Sequence, residues 1–358
     1  MNESRTRSSA FRGLVGAAAF VVVVAGLEAI QTILIQVIIA LFVTIVLVPA
    51  LTWLVRHHVP RFLAILVLIA VAIGVIAVAG AVVGNAVNGF TKELPTYQAR
   101  FEALNESVGS WLERYDLELS GSTVFELVRP DSIFSMLGGT LKGMAAVLSN
   151  TFMILLIVIF MLMEWTDFPA KVRAAFADGE FRNERLDRMS TEVQRYLGIK
   201  TLLSLATGLL IAAWLAILGV DFAVLWGLIA FALNFIPNIG SIIAAVPAVL
   251  LALIQLGPGR ALLAALGYLA VNTVIGNFIE PKLMGQSLGL SPLVVILSMV
   301  FWGWLWGPMG MLLSVPLTMI VKISLESNPD LRWVAILLDS RPPEEQDERA
   351  FETRDARG

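Results

Sequence analysis

Long apolar runs joined by short polar connections make up most of the chain, and most of them are close to bilayer length. Leu14–Leu27, Thr32–Val55, Phe62–Asn85, Met144–Met163, Thr201–Leu218 and Ala261–Ile279 each approach the roughly twenty apolar residues that a helix needs to cross lipid. They predict six transmembrane helices. Two further runs, Phe222–Leu256 and Pro292–Ile323, are too long for one crossing and too short for two. Each also breaks near its middle, the first at Pro237, Asn238, Gly240 and Ser241, the second at Gly307, Pro308 and Gly310 within GWLWGPMG. Proline and glycine there interrupt a helix and expose backbone polar groups. Irregular backbone at membrane depth survives only where protein or a water-filled cavity covers it, which favours a re-entrant hairpin at each run.

The two broken runs also align with each other. Leu218 and Gly219 precede Pro237, Gly240, Val246 and Pro247, while Leu288 and Gly289 precede Pro308, Gly310, Val315 and Pro316, in the same order and nearly the same spacing. That is the signature of an internal repeat. The expected fold is therefore all-α: a polytopic membrane protein of about six transmembrane helices plus two oppositely oriented re-entrant hairpins, an inverted repeat.

Charge then orients the chain. Arg5, Arg7 and Arg12 in residues 1–13, Arg56 and Arg61 around His57 and His58, seven bases within Glu164–Lys200, then Lys282, Lys322 and Arg332 mark connections that stay cytoplasmic. Both termini are expected there, with the first hairpin entering from outside and the second from inside. Leu14–Leu27 after its basic tail resembles a signal peptide, but the next apolar run comes at once without a convincing cleavage site, so it reads as a retained span. Residues 88–142 carry an acid excess and helical spacing of Tyr97, Phe101, Leu104, Val108, Trp111, Leu112 and Tyr115, an extracytoplasmic amphipathic segment. Phe181–Leu197 reads as a charged surface helix within the 164–200 loop. The organisation is thus a tail (1–13), three spans (14–87), the amphipathic segment (88–142), a fourth span (143–163), the loop (164–200), a transport unit (201–325) and a cytoplasmic tail (326–358), disordered from about 341.

Composition changes the picture only by exclusion. With 58% hydrophobic and 15% charged residues, the chain is far from the soluble average of about a quarter charged. Cys 0 removes thiolate catalysis, disulfides and cysteine metal sites, and two adjacent histidines leave no separated catalytic triad. No P-loop, metalloprotease motif or nucleic-acid module is present. No enzyme activity, cofactor, metal or nucleic-acid partner is expected; the expected partners are membrane lipids and a small-molecule or ion substrate.

What remains as chemistry is polar and sparse. Asn272, Thr273, Gly276, Asn277 and Glu280 form a stripe at roughly helical spacing on the sixth span, and polar groups there face either a pathway or a neighbouring helix. In the second case Glu280 would sit at the interface, capped by Lys282. Asn234, Asn238 and Ser241 at the first break, and Ser314, Gly307 and Gly310 at the second, supply amides, hydroxyls and exposed carbonyls for a polar solute. Trp302, Trp304 and Trp306 read as an aromatic belt or hairpin packing.

NFIPNIGSIIAAVPAVLLAL from Asn234, NFIEPKLMGQSLGLSPLVVILSMVFWGWLWGPMGMLLSVPLTMIVKI from Asn277 and YLGIKTLLSLATGLL from Tyr196 resemble the signature segments of the autoinducer-2 exporter family of PerM-like permeases. The match covers about Tyr196 to Lys322, and EPKLMGQSLGLSP is not a generic hydrophobic string. The resemblance implies a homo-oligomeric bacterial inner-membrane protein, exporting a small furanone-type signal in some members and exchanging sodium for protons in others. The leading expectation is a secondary exporter of a small polar organic molecule such as autoinducer-2. The alternatives are a sodium(lithium)/proton antiporter with Glu280 as the titrating group, and a membrane scaffold that docks through residues 88–142.

Overall fold

The computed structural model describes residues 15–16, 18–19, 21–114, 130–149, 151–165, 180–237, 239–284, 289–326 and 331–339. Helices account for nearly all of them, and no strand occurs among the described residues. Among the described residues six helices are long and apolar enough to cross a membrane, Gln31–Arg56, Arg61–Leu104, Thr191–Leu218, Ile239–Leu256, Pro258–Met284 and Pro292–Glu326. Of these, Ile239–Leu256 and Pro292–Glu326 lie in the two runs expected to be hairpins and not among the six expected spans. Phe62, Val71, Phe152, Leu209 and Ile217 are among many large apolar side chains left exposed. In water such a surface would aggregate; against lipid it is solvated.

The chain forms two compact units, one of Ile45–Leu288 and one of Met1–Thr44 with Gly289–Gly358. Helix α1 (Gln31–Arg56) leads to α2 (Arg61–Arg114) through His58, whose positive φ of 65° turns the chain before Pro60. Helix α2 does not stop near Asn85 as the hydropathy suggests. It runs for 54 residues, about 80 Å at 1.5 Å per residue, so the third span and the first part of the amphipathic segment are one rod. Helix α3 (Pro130–Ser149) packs on it, with Phe134 edge-on to Phe101 at 6.4 Å between centroids. Helix α4 (Thr151–Glu164) covers most of the expected fourth span with only 14 residues. Arg61 donates to the carbonyls of Leu162 and Met163 at the end of α4, which closes the start of α2 onto that end.

Helix α5 (Glu180–Leu218) merges two elements expected to be separate, the surface helix Phe181–Leu197 and the span Thr201–Leu218. It ends at Gly219, where φ is +79°, and Val220 N–H returns to Leu215 O at 3.0 Å, a left-handed glycine stop that satisfies a terminal carbonyl. Helices α6 (Ala223–Leu233) and α7 (Ile239–Leu256) come next. After Gly257, α8 (Pro258–Asn272) continues into a π-helical stretch, Thr273–Ile279, and then α9 (Glu280–Met284). The other unit carries α10 (Pro292–Glu326) and the short α11 (Arg332–Leu338).

Candidate functional site

Both broken runs fold back on themselves. In the first, Gln255 at the end of α7 accepts from Asp221 N–H at 2.9 Å and donates to Gly219 O at 3.1 Å. The chain therefore leaves and returns to one place. Tyr97 and Arg100 of α2 fasten that base, through Asp221 Oδ2 at 2.7 Å and Gln255 O at 2.9 Å. At the far end, α6 stops at Leu233 and α7 starts at Ile239, and the break is stitched by Ile236 N–H to Leu233 O and Gly240 N–H to Ile236 O. A Cβ on Gly240 would lie 1.8 Å from Leu233 O. Only glycine lets the second arm start there.

The second run is helical on both sides of Gly307, whose φ of 63° and ψ of −148° turn the chain within α10. Trp302 Nε1 donates to Thr318 Oγ1 at 3.0 Å, although sixteen residues of straight helix would hold them about 24 Å apart. Here a Cβ on Gly310 would lie 1.8 Å from Trp302 O, the counterpart of Gly240 on Leu233. At the base, the buried Lys322 Nζ donates to Gly289 O at 2.6 Å and to Asp339 Oδ2 at 2.7 Å. The two runs thus share a left-handed glycine at the base, a side chain from the returning arm on its carbonyl, and a glycine against the first arm's carbonyl. That common construction matches the repeat read in the sequence.

The polar centre of the larger unit is assembled by α5. Lys200, Ser204 and Thr207 are all buried, and their spacing puts them on one face of the helix. Gly208 and Gly227 let α5 and α6 meet at backbone distance, since a Cβ on Gly208 would be 2.7 Å from Gly227 O. This close approach carries Asn234, at the end of α6, onto Ser204, with Nδ2 donating to Oγ at 3.0 Å. On its other side α5 runs antiparallel to the segment from α8 to α9. Arg260 donates to Leu218 O, Trp214 Nε1 to Leu263 O at 3.0 Å, and Lys200 Nζ to Glu280 Oε1 at 2.6 Å. The Lys200 side chain is 5% exposed and that of Glu280 21%.

Glu280 reaches Lys200 from a distorted helix. Over Thr273–Ile279 the backbone takes π geometry, and Glu280 N–H bonds to Ile275 O, five residues back. The extra residue in the turn rotates α9 relative to α8, and such bulges recur at functional sites. Glu280 is therefore not capped by Lys282, which is exposed. Its partner is Lys200, which the sequence pattern assigned to a cytoplasmic loop.

Among the other expected site residues, Pro237, Ser241 and Asn272 are half-buried, Gly240 is buried, and Asn277 is exposed. Asn238 lies outside the described residues. Gly307 is half-buried, Pro308 exposed and Gly310 buried, and all three belong to the other compact unit. Trp302 and Trp306 are hairpin-packing residues, Trp306 Nε1 donating to Leu27 O at 3.3 Å, whereas Trp304 is exposed. The structure thus gathers Asn234 and Glu280 around α5 and adds Lys200, Ser204 and Thr207. The four- and three-residue spacing of that polar trio on an apolar helix is the signal that would have found them.

Helices of bilayer length, an apolar exterior and a buried polar centre define a multi-pass membrane protein of the transport class. The chain belongs to the AI-2E transporter family: the model of that family, described as AI-2E family transporter, matches residues 17–329. It is 40% identical to the AI-2 transport protein TqsA of Escherichia coli K12 over 318 residues, 89% of this chain and 92% of that protein. A Haemophilus influenzae protein described as a candidate transport protein is 39% identical over 333 residues, 91% of this chain and 96% of its own.

Proposed function

We propose that the chain is a secondary transporter of the inner membrane, with cytoplasmic termini, that exports a small polar organic molecule, autoinducer-2 being the first candidate. The substrate reading is supported by similarity to TqsA, whose name specifies AI-2. The site reading is carried by one observation: a joined polar set, Asn234 with Ser204 and Lys200 with Glu280, lies within apolar helices beside a broken helical hairpin. Polar groups on membrane-spanning helices are costly and mark substrate paths by default. In this reading the two hairpins are re-entrant, inserted from opposite faces, and shelter their exposed backbone in a homo-oligomer.

An exchange of sodium for protons would instead require Glu280 to carry the proton. That is the weaker reading, because Lys200 already holds its carboxylate at 2.6 Å.

The test is efflux from proteoliposomes loaded with enzymatically made autoinducer-2. Wild type is expected to accelerate efflux over empty vesicles, and Asn234→Ala to reduce it about tenfold, the effect of about 1.4 kcal/mol on the barrier. Efflux no faster than from empty vesicles would remove the substrate, and full activity in Asn234→Ala would remove the site. Sodium-driven pH changes abolished by Glu280→Gln would favour the antiporter.

A further inference from the structure

We propose that Lys200 is a selectivity residue, whose ammonium cancels the charge of Glu280 and so closes the polar centre to cations while leaving it open to neutral solutes. The inference rests on the reading of this region as the permeation centre. An oddity of position motivates it: both side chains sit on helices long and apolar enough to cross a membrane, Lys200 on Thr191–Leu218 and Glu280 on Pro258–Met284, and face each other there with little exposure, 5% and 21%. If the pair served only to tie α5 to the π-helical segment, apolar side chains of similar volume would do as well or better, because desolvating two charges offsets most of their attraction. A role that needs the charges themselves is therefore favoured.

The neighbourhood supplies that role. From Lys200 the buried face of α5 continues to Ser204, hydrogen-bonded to Asn234, and then to Thr207, whose Oγ1 is buried with no partner among the described residues. An unsatisfied buried hydroxyl is uncommon and points to water or a solute as its partner. The three residues make a polar lane about 10 Å long on a helix rising 1.5 Å per residue. A carboxylate standing alone beside such a lane is the arrangement that admits cations, as a lone basic group admits anions. With the two charges 2.6 Å apart, an ion of either sign meets a repelling charge as close as an attracting one. A neutral hydroxylated solute meets only donors and acceptors.

The consequence is a reversal of sign between two variants. Wild type, Lys200→Met and Glu280→Gln are reconstituted into liposomes, and passive sodium and chloride fluxes are followed with ion-selective dyes. Lys200→Met is expected to raise sodium flux about tenfold over wild type with little change in chloride, and Glu280→Gln to raise chloride rather than sodium, each from a modest lowering of one ion's barrier. General loosening of the helices would raise both fluxes in both variants, so the opposite signs separate selectivity from damage. The exchanged pair, Lys200→Glu with Glu280→Lys, is expected to be tight to both ions. If Lys200→Met does not fold, Lys200→Gln, which removes the charge and keeps a polar side chain, carries the same test. Equal sodium and chloride leaks in a single variant, no leak in either, or a leak through the exchanged pair would overturn the proposal. Because these fluxes need no organic solute, failure of autoinducer-2 efflux in wild type would remove that substrate and leave the role of Lys200 to be decided by the ion fluxes.

Discussion

At the scale of single residues, the glycines of the two breaks bear the strongest constraint. Gly240 and Gly310 each sit where a Cβ would be 1.8 Å from a backbone carbonyl, and backbone, unlike a flexible side chain, cannot step aside. Gly240→Ala or Gly310→Ala is expected to destabilise the folded protein by at least about 1–3 kcal/mol, the usual range for overpacking, seen as a lowered midpoint in a thermal melt in detergent. Gly143→Ala, with open space around it, is the control and is expected to melt like wild type. These glycines are legible in the sequence as helix breakers, but not as contacts, because composition does not say which carbonyl lies opposite. Lys200 is obscured for a related reason. A lysine at the end of a basic stretch looks solvated, and only the antiparallel packing of α5 on the α8–α9 segment places Glu280, eighty residues further along the chain, beside it.

At the scale of elements, the hairpins follow from simple length and punctuation. Helix α6 has 11 residues, about 16 Å of rise against a hydrocarbon core of about 30 Å, so it cannot cross alone. The chain contains no native cysteine, which makes the fold-back of α10 easy to check. Met311 Cγ lies 2.7 Å from the position of a Cβ on Gly303, close enough for the paired variant Gly303→Cys, Met311→Cys to form a disulfide. A straight helix would separate the two by about 12 Å and leave free thiols. Oxidation with copper phenanthroline is expected to protect both thiols from maleimide labelling; full labelling would show an extended rod. The ends of elements are less legible than their kinds. The period of α2 passes from uniformly apolar to amphipathic with no stop signal, so hydropathy reports a boundary where the hydrogen-bond ladder runs on to Arg114. Pro95 does not end it, and nothing in local propensity foretells the π stretch Thr273–Ile279.

At the scale of the whole molecule, the sequence pattern carries the class of fold: apolar runs of bilayer length, few charges and two punctuated runs leave little besides an all-helical membrane protein. Which face each run meets is the part that neither period nor packing dictates, since lipid surrounds the chain on every lateral side and only the basic connections report sidedness. The central claim at this scale is the inverted topology, in which the two hairpins enter from opposite faces, and single cysteines placed in the cysteine-free chain test it most directly. Ala223→Cys and Gly259→Cys flank the first hairpin, and Pro292→Cys and Glu326→Cys flank the second. In intact cells, an impermeant maleimide applied from outside is expected to label both members of the first pair and neither of the second, with the second pair labelled only after permeabilisation. Opposite accessibility of the two members within either pair, or all four positions reached from one face, would contradict that arrangement.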